Sequence, residues 1–173
     1  MKKVVVNDTN VFIDLFSVGL LEEFFSLPWE VHTTEFVLLE LSREGQSETV
    51  RKYKEDGRLH IPTFEPKEMI EIASLLPFQR KKSDVSFTDC SVWYYAKKNG
   101  YTLLTGDRKL RMVSEIDDVE VHGIIYVIDS IKEAELMPAS EIVSRLELLM
   151  SKNPRLPKEA IEKRLKLWKT EIK

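Results

Sequence analysis

One cysteine, three histidines and no long apolar run set the first limits on this 173-residue chain. The lone Cys90 rules out an internal disulfide and any cysteine-built zinc site. His32, His60 and His122 are widely scattered, which argues against a histidine-rich metal centre. No apolar stretch approaches the ~20 residues needed to cross a bilayer. The apolar part of the N-terminus, Val4-Val5-Val6, is too short for a signal peptide. The expectation is a cytoplasmic protein without membrane contact. A basic excess is missing too. Residues 1–150 carry 18 Lys or Arg against 26 Asp or Glu, a balance of −8. Such a body does not bind polyanions by bulk charge, and it suits a carboxylate pocket that needs cations. Only residues 151–173 are basic, with eight Lys or Arg against three Glu. That end is either a polyanion contact or a solvated helix face.

What is present is the composition of a globular protein, 43% apolar and 32% charged. A chain of this length hides about 70% of its unfolded surface on folding. Val4-Val5-Val6 is a β-branched run ending in Asn7-Asp8-Thr9-Asn10, turn and cap chemistry that hands a buried strand over to a helix. Further strands are expected at 30–33, 59–61, 101–104 and 119–121. Helices are expected between them, one of them opening at Pro66 and closing at Pro77. Asn99-Gly100 should end the helix over 88–98 with a left-handed cap. From Gly123 onward only helices follow, near 123–136, 139–151 and 157–170. Alternating strands and helices mean an α/β fold, with a central, mostly parallel sheet flanked by helices and a helical C-terminal extension. The expected division is a domain over 1–150 and a basic C-terminal helix over 151–173 that packs on it or extends from it.

In open α/β sheets, sites form beyond the carboxyl ends of the strands. Asp8 follows the first strand and Asp107 the 101–104 strand. Asp89 opens the helix before that strand, and Glu40 lies in the helix after the second. Each has a plain structural explanation. Asp8 and Asp107 stand at helix N-caps, Ser86-Phe87-Thr88-Asp89 is a capping box, and Glu40 is a helix residue facing water. Their conjunction is what matters. Like charges gathered together are costly unless cations neutralise them. Carboxylates without imidazole or thiol suit a hard ion, Mg²⁺ or Mn²⁺.

Several blocks resemble a known family. Val4-Val5-Val6-Asn7-Asp8-Thr9-Asn10-Val11-Phe12-Ile13 is similar to the opening of PIN-domain proteins. Leu38-Leu39-Glu40-Leu41 resembles the helix with the family's second acid. Ser86-Phe87-Thr88-Asp89, with Ala96 and Asn99-Gly100, is similar to its third block, and Leu103-Leu104-Thr105-Gly106-Asp107-Arg108-Lys109-Leu110 to its fourth. The order and spacing agree from residue 4 to about 128. The resemblance implies a PIN-like fold and a metal-dependent ribonuclease, as in VapC-type toxins and related RNA-processing nucleases. It makes Asp8, Glu40, Asp89 and Asp107 the metal-binding and catalytic acids. It gives Asn10, or else Thr9, a hydrogen-bonding role that orients Asp8 or a water. An antitoxin protein and a second copy of the chain are the implied protein partners. Asp84 departs from the pattern and is an accessory acid or, in the simpler reading, loop polarity.

Hydrolysis by water fits such a cluster, because one or two divalent ions both activate the water and stabilise charge on the phosphate. It leaves a 5′-phosphate and a 3′-hydroxyl. Arg80, Lys81 and Lys82 before the third acid, and Arg108 and Lys109 after the fourth, are candidates for holding RNA. Arg111 is a further rim residue or an ordinary helix charge. Trp93, Tyr94 and Tyr95 read as core packing rather than a base-stacking platform. A dehalogenase-like phosphatase needs an acid where Asn10 stands. A phosphorylated receiver domain needs an acidic pair and a late lysine that are not found. The remaining alternative is a PIN-like scaffold that binds RNA or protein without cutting. The apolar faces near 10–27 and 34–42 are a partner surface, a dimer contact or core.

Overall fold

The computed structural model describes residues 2–41, 45–79 and 85–172. Five strands, β1 (Lys3–Asn7), β2 (Trp29–His32), β3 (Leu59–His60), β4 (Thr102–Leu104) and β5 (Val121–His122), form one sheet in the order β3-β2-β1-β4-β5. Every pairing is parallel. Parallel strands need crossovers, and helices supply them. These are α1 (Thr9–Val18) and α2 (Leu21–Ser26) after β1, then α3 (Glu35–Glu40) and α4 (Gln46–Glu55) after β2. Next come α5 (Pro66–Gln79) and α6 (Phe87–Asn99) after β3, and α7 (Arg108–Ile116) after β4. The C-terminal region is α8 (Ile124–Glu133), α9 (Ala139–Lys152) and α10 (Lys158–Glu171).

The β-branched run of β1 is central because it is apolar on both faces. Val5 and Val6 are fully buried, as are Leu103 and Leu104 of the neighbouring β4. The apolar faces of α1 and α2 are core: Val11, Phe12, Leu15, Phe24 and Phe25 are buried, and Phe24 meets Phe12 and Phe25 edge-on. Most of the apolar side chains over 10–27 are therefore core, with Ile13 and Phe16 only partly buried. Leu39 of α3, by contrast, is 70% exposed. Gly19 closes α1 with φ 66°, a left-handed turn that glycine adopts without steric penalty.

Most boundaries shift by a residue or a few, and two of the differences have a visible cause. α5 runs through Pro77 to Gln79 instead of stopping at the proline. Near a helix's C-terminus a proline forfeits one backbone bond, and the rest of the turn can still close. β5 starts at Val121, not Val119, because the Val119 N–H returns to the Ser114 carbonyl at 3.0 Å and so closes α7. Asp118, with φ 58°, makes that reversal.

α9 lies against α1 and α10 against α9. Ile142, Leu146 and Leu149 of α9 and Ile161, Leu165 and Trp168 of α10 are buried. Arg164 grips Asp129 of α8 with two hydrogen bonds of 2.6 Å. At the C-terminus of α1, Arg145 donates to the Val18 carbonyl and Lys152 Nζ to the Ser17 carbonyl, each at 2.8 Å. No helix among the described residues is long and apolar enough to cross a membrane.

Candidate active site

The strand order reverses at β1, where β2 lies on one side and β4 on the other. Crevices for ligands open at such switch points, beyond the strand ends. Asp8 occupies this place. Its N–H donates to the Leu104 carbonyl at 3.0 Å, so the ends of β1 and β4 are joined there. Asp8 is 2% exposed. Its Oδ1 accepts from the Thr9 N–H at 2.7 Å, and its Oδ2 from Asn10 Nδ2 at 2.8 Å and the Thr105 hydroxyl at 2.7 Å.

A simple N-cap reaches the second or third N–H of its helix. Asp107 does so, accepting from Lys109 and Leu110 N–H at 2.7 and 2.9 Å through one oxygen, Oδ1. Asp8 does not, and its second oxygen is committed to side chains instead. Asp89 is the third residue of α6 and completes the capping box. Its Oδ2 accepts from the Ser86 N–H at 2.7 Å, and its own N–H donates to Ser86 Oγ at 3.0 Å. Glu40, at the end of α3, accepts the Thr9 hydroxyl at 2.7 Å. Three helix N-termini therefore each carry one of the acids, and their positive dipole ends favour negative charge there.

The acids sense one another. Burial above all pushes the Asp8 carboxyl up to about 7, with the charge of Asp89 next and that of Glu40 smaller. The bonds from Thr105 and Thr9 pull the other way. Asp89 is raised mainly by burial, then by the charges of Asp107 and Glu40, against the Ser86 bonds. Asp89 is thus electrostatically linked to all three other acids. They are not a finished cage: among the described residues no three Asp, Glu, His or Cys side chains are gathered as an ion would hold them. The donor set nonetheless fits a hard divalent cation. It is all oxygen, and its most buried member faces two further carboxylates, an arrangement that positive charge relieves.

Asn10 serves two residues at once. Its Nδ2 donates to Asp8, and its Oδ1 accepts from the Gly106 N–H at 2.7 Å. A Cβ on Gly106 would stand 3.1 Å from that Oδ1, so the close approach favours glycine. Thr9 and Asn10, read from sequence as alternatives, both hydrogen-bond within the site. Thr105 was not foreseen. It is fully buried, donates to Asp8 and accepts the Asp107 N–H at 3.0 Å. Its signals were its place immediately after β4 and inside the block similar to the family's fourth.

Arg108 and Lys109 follow Asp107 and are exposed. Arg111 turns away, donating to the Val121 carbonyl at 2.9 Å, and so secures β5. Arg80, Lys81, Lys82 and Asp84 lie outside the described residues. Trp93 and Tyr95 are buried in α6, as core packing requires. Burial pushes the Cys90 thiol up to about 11, with the Asp89 charge adding to it, which removes it as a thiolate nucleophile. His32 bonds Tyr95 and Glu30, and His122 bonds Glu120.

A family model described as PIN domain matches residues 4–170. No curated protein matches the chain. Among solved structures, PAE2754 from Pyrobaculum aerophilum is similar with a TM-score of 0.52 at 14% identity, over 75% of this chain and 98% of that one. VapBC2 from Rickettsia felis, solved with a DNA fragment from its promoter, aligns at 18% identity with a TM-score of 0.46, over 69% of this chain and 98% of that one. FitAcB from Neisseria gonorrhoeae aligns at 17% identity with a TM-score of 0.44, over 70% and 99%.

Proposed function

The chain belongs to the PIN-domain family, and from that premise we propose that it is a metal-dependent endoribonuclease. It hydrolyses RNA phosphodiester bonds and leaves 5′-phosphate and 3′-hydroxyl ends. The observation that carries this reading is the buried Asp8 carboxyl, pushed up to about 7 beside Asp89 and Glu40. A carboxylate placed so, among oxygen donors alone, is set to share a cation.

Asp8, Glu40, Asp89 and Asp107 hold the ion or ions, Mg²⁺ or Mn²⁺. The chemistry such an ion supplies when bound is charge stabilisation at the phosphate and a lowered pKa for water. The chain's own residues do the rest. Asn10 and Thr105 orient the Asp8 Oδ2, and Thr9 orients Glu40. Arg108 and Lys109, next to Asp107, hold the RNA phosphates, and Arg80, Lys81 and Lys82 are assigned the same task. Water oxygen bonds to phosphorus, the P–O3′ bond breaks, and the 3′ oxygen leaves as a hydroxyl after taking a proton. A carboxylate of the cluster accepts the water proton. His32 and His122 bond elsewhere and the His60 ring packs on His32, which supports attack by water over attack by the ribose 2′-hydroxyl.

Digestion of RNA with Mn²⁺ or Mg²⁺, set against chelator, tests the reading. Cleavage should need the metal and be lost in a folded Asp8→Asn variant. A 2′,3′-cyclic phosphate end would overturn the mechanism. RNA binding without turnover in either metal would establish the non-catalytic scaffold instead. The toxin role, with an antitoxin as partner, rests on the resemblance of residues 4–13 and 103–110 to VapC-type proteins. Growth arrest on expression of the wild type, and none with Asp8→Asn, is the expected result.

A further inference from the structure

A groove of about 1080 Å³ runs beside the acids, lined by Asn10, Asp14 and Ser17 of α1, by Asp107 and Arg108, and by the turn between α9 and α10. From Asn10 to Ser17 it follows α1 for about 10 Å, at 1.5 Å per helical residue. The α9–α10 turn is fastened to this helix in order. Lys152 Nζ holds the Ser17 carbonyl at 2.8 Å, and Asn153 Nδ2 reaches both Asp14 oxygens at 3.0 and 3.1 Å. The turn therefore advances along α1 toward Asn10 and the acids. The Asn153 Oδ1 then accepts the Arg155 N–H at 3.2 Å, which fixes where Arg155 leaves the turn.

We propose that this turn is a wall of the substrate groove, and that Arg155 and Arg108, lining the same groove, grip the phosphodiester backbone of single-stranded RNA. The inference rests on the ribonuclease reading of the acids beside it. Arg108, Lys109, Lys152 and Arg155 line the groove, against Asp14 and Asp107. That is a local basic surface on a body whose first 150 residues are acidic. Both guanidinium groups are on exposed residues, and neither has an ion-pair partner among the described residues. A guanidinium fork matches two phosphate oxygens at once. Among the described residues no aromatic side chain lines the groove, while Ile13 and Leu156 supply apolar surface. Without a stacking platform, recognition falls on the backbone, so binding depends strongly on salt and weakly on sequence.

The test uses the full chain and a labelled, mixed-sequence single-stranded RNA, titrated in chelator at several salt concentrations, followed by cleavage kinetics in Mn²⁺. Arg155→Glu should weaken binding about tenfold, as expected when one charge-assisted bond to phosphate is removed. It should also flatten the salt slope by about 0.7 for each phosphate that is no longer neutralised. KM should rise with kcat unchanged, and Arg155→Lys should restore part of the slope. Lys166→Glu, the same charge change at an exposed position of α10 outside the groove, is the control. Equal affinity for Arg155→Glu and wild type overturns the groove while leaving the nuclease standing. An equal loss with Lys166→Glu also overturns it, because bulk charge then explains the effect. A wild type that neither binds nor cuts RNA removes the nuclease reading, and the groove with it.

Discussion

The Thr105 hydroxyl donates to Asp8 Oδ2 at 2.7 Å, joining the end of β4 to the acid that ends β1. The same oxygen accepts the Asp107 N–H at 3.0 Å, so one buried side chain sets two of the acids. Thr105→Val keeps the shape and removes the bond. It should cost about 1–3 kcal/mol, since both the Asp8 oxygen and the Asp107 N–H lose a buried partner. RNA cleavage should fall at least tenfold while Thr105→Ser stays near wild type. Urea unfolding and initial rates in Mn²⁺ measure the two effects.

The raised Asp8 carboxyl sets a pH dependence. Its ordinary value is 3.8 and its folded value about 7. An acid raised on folding contributes stability that is fully present below its unfolded pKa and is lost as pH rises through the folded one. Chelated protein should therefore lose stability between about pH 4 and 7. A rise of that size corresponds to on the order of 4 kcal/mol. Asp14, raised to about 6 by burial against the Asn153 bond, and Asp89, also raised, slope the same way. The difference between wild type and Asp8→Asn isolates the Asp8 share. Thermal denaturation across this range should show the difference in chelator and a smaller one with Mn²⁺ present. A difference independent of pH would refute it.

Gly106→Ala would place a methyl 3.1 Å from Asn10 Oδ1. The Asn10 amide must give way, and its other end holds Asp8. Activity should fall about tenfold, because a small misplacement of a positioning group is amplified in rate. Stability should fall by about 1–3 kcal/mol, the usual cost of overpacking. Calorimetry of Mn²⁺ binding should show weaker affinity in step with the reduced activity.

Trp168 of α10 is buried, and Lys132 lies 5.5 Å from its ring centroid. Trp168→Ala should cost about 3–5 kcal/mol. Denaturation should remain a single transition, because α10 packs on α9 and α9 on α1. An early separate transition would instead mark residues 151–173 as an independent arm.

How much was legible in sequence follows from how far each signal reaches. Asp8, Asp89 and Asp107 were visible because capping residues announce a strand-to-helix handover locally. The two explanations offered for them were not rivals: Asp89 and Asp107 hold helix ends with one oxygen each and still lie within each other's field. The role of Thr105 was invisible, although it stands inside a quoted block, since its partner lies 97 residues away. The groove wall was invisible for the same reason, as the tie from Asn153 to Asp14 spans 139 residues. Arg111 read as a rim residue or a helix charge, because a backbone carbonyl acceptor leaves no trace in sequence.

Helix α1 opens on Asp8, while the carbonyls at its far end wait for donors made 127 and 135 residues later, Arg145 and Lys152. The opening of this helix is capped by its immediate neighbour in sequence, while two of its last carbonyls gain side-chain donors only when α9 docks against it. The two ends of one ten-residue helix thus answer to different ranges of the polypeptide, the first to a local cap and the last to a distant helix.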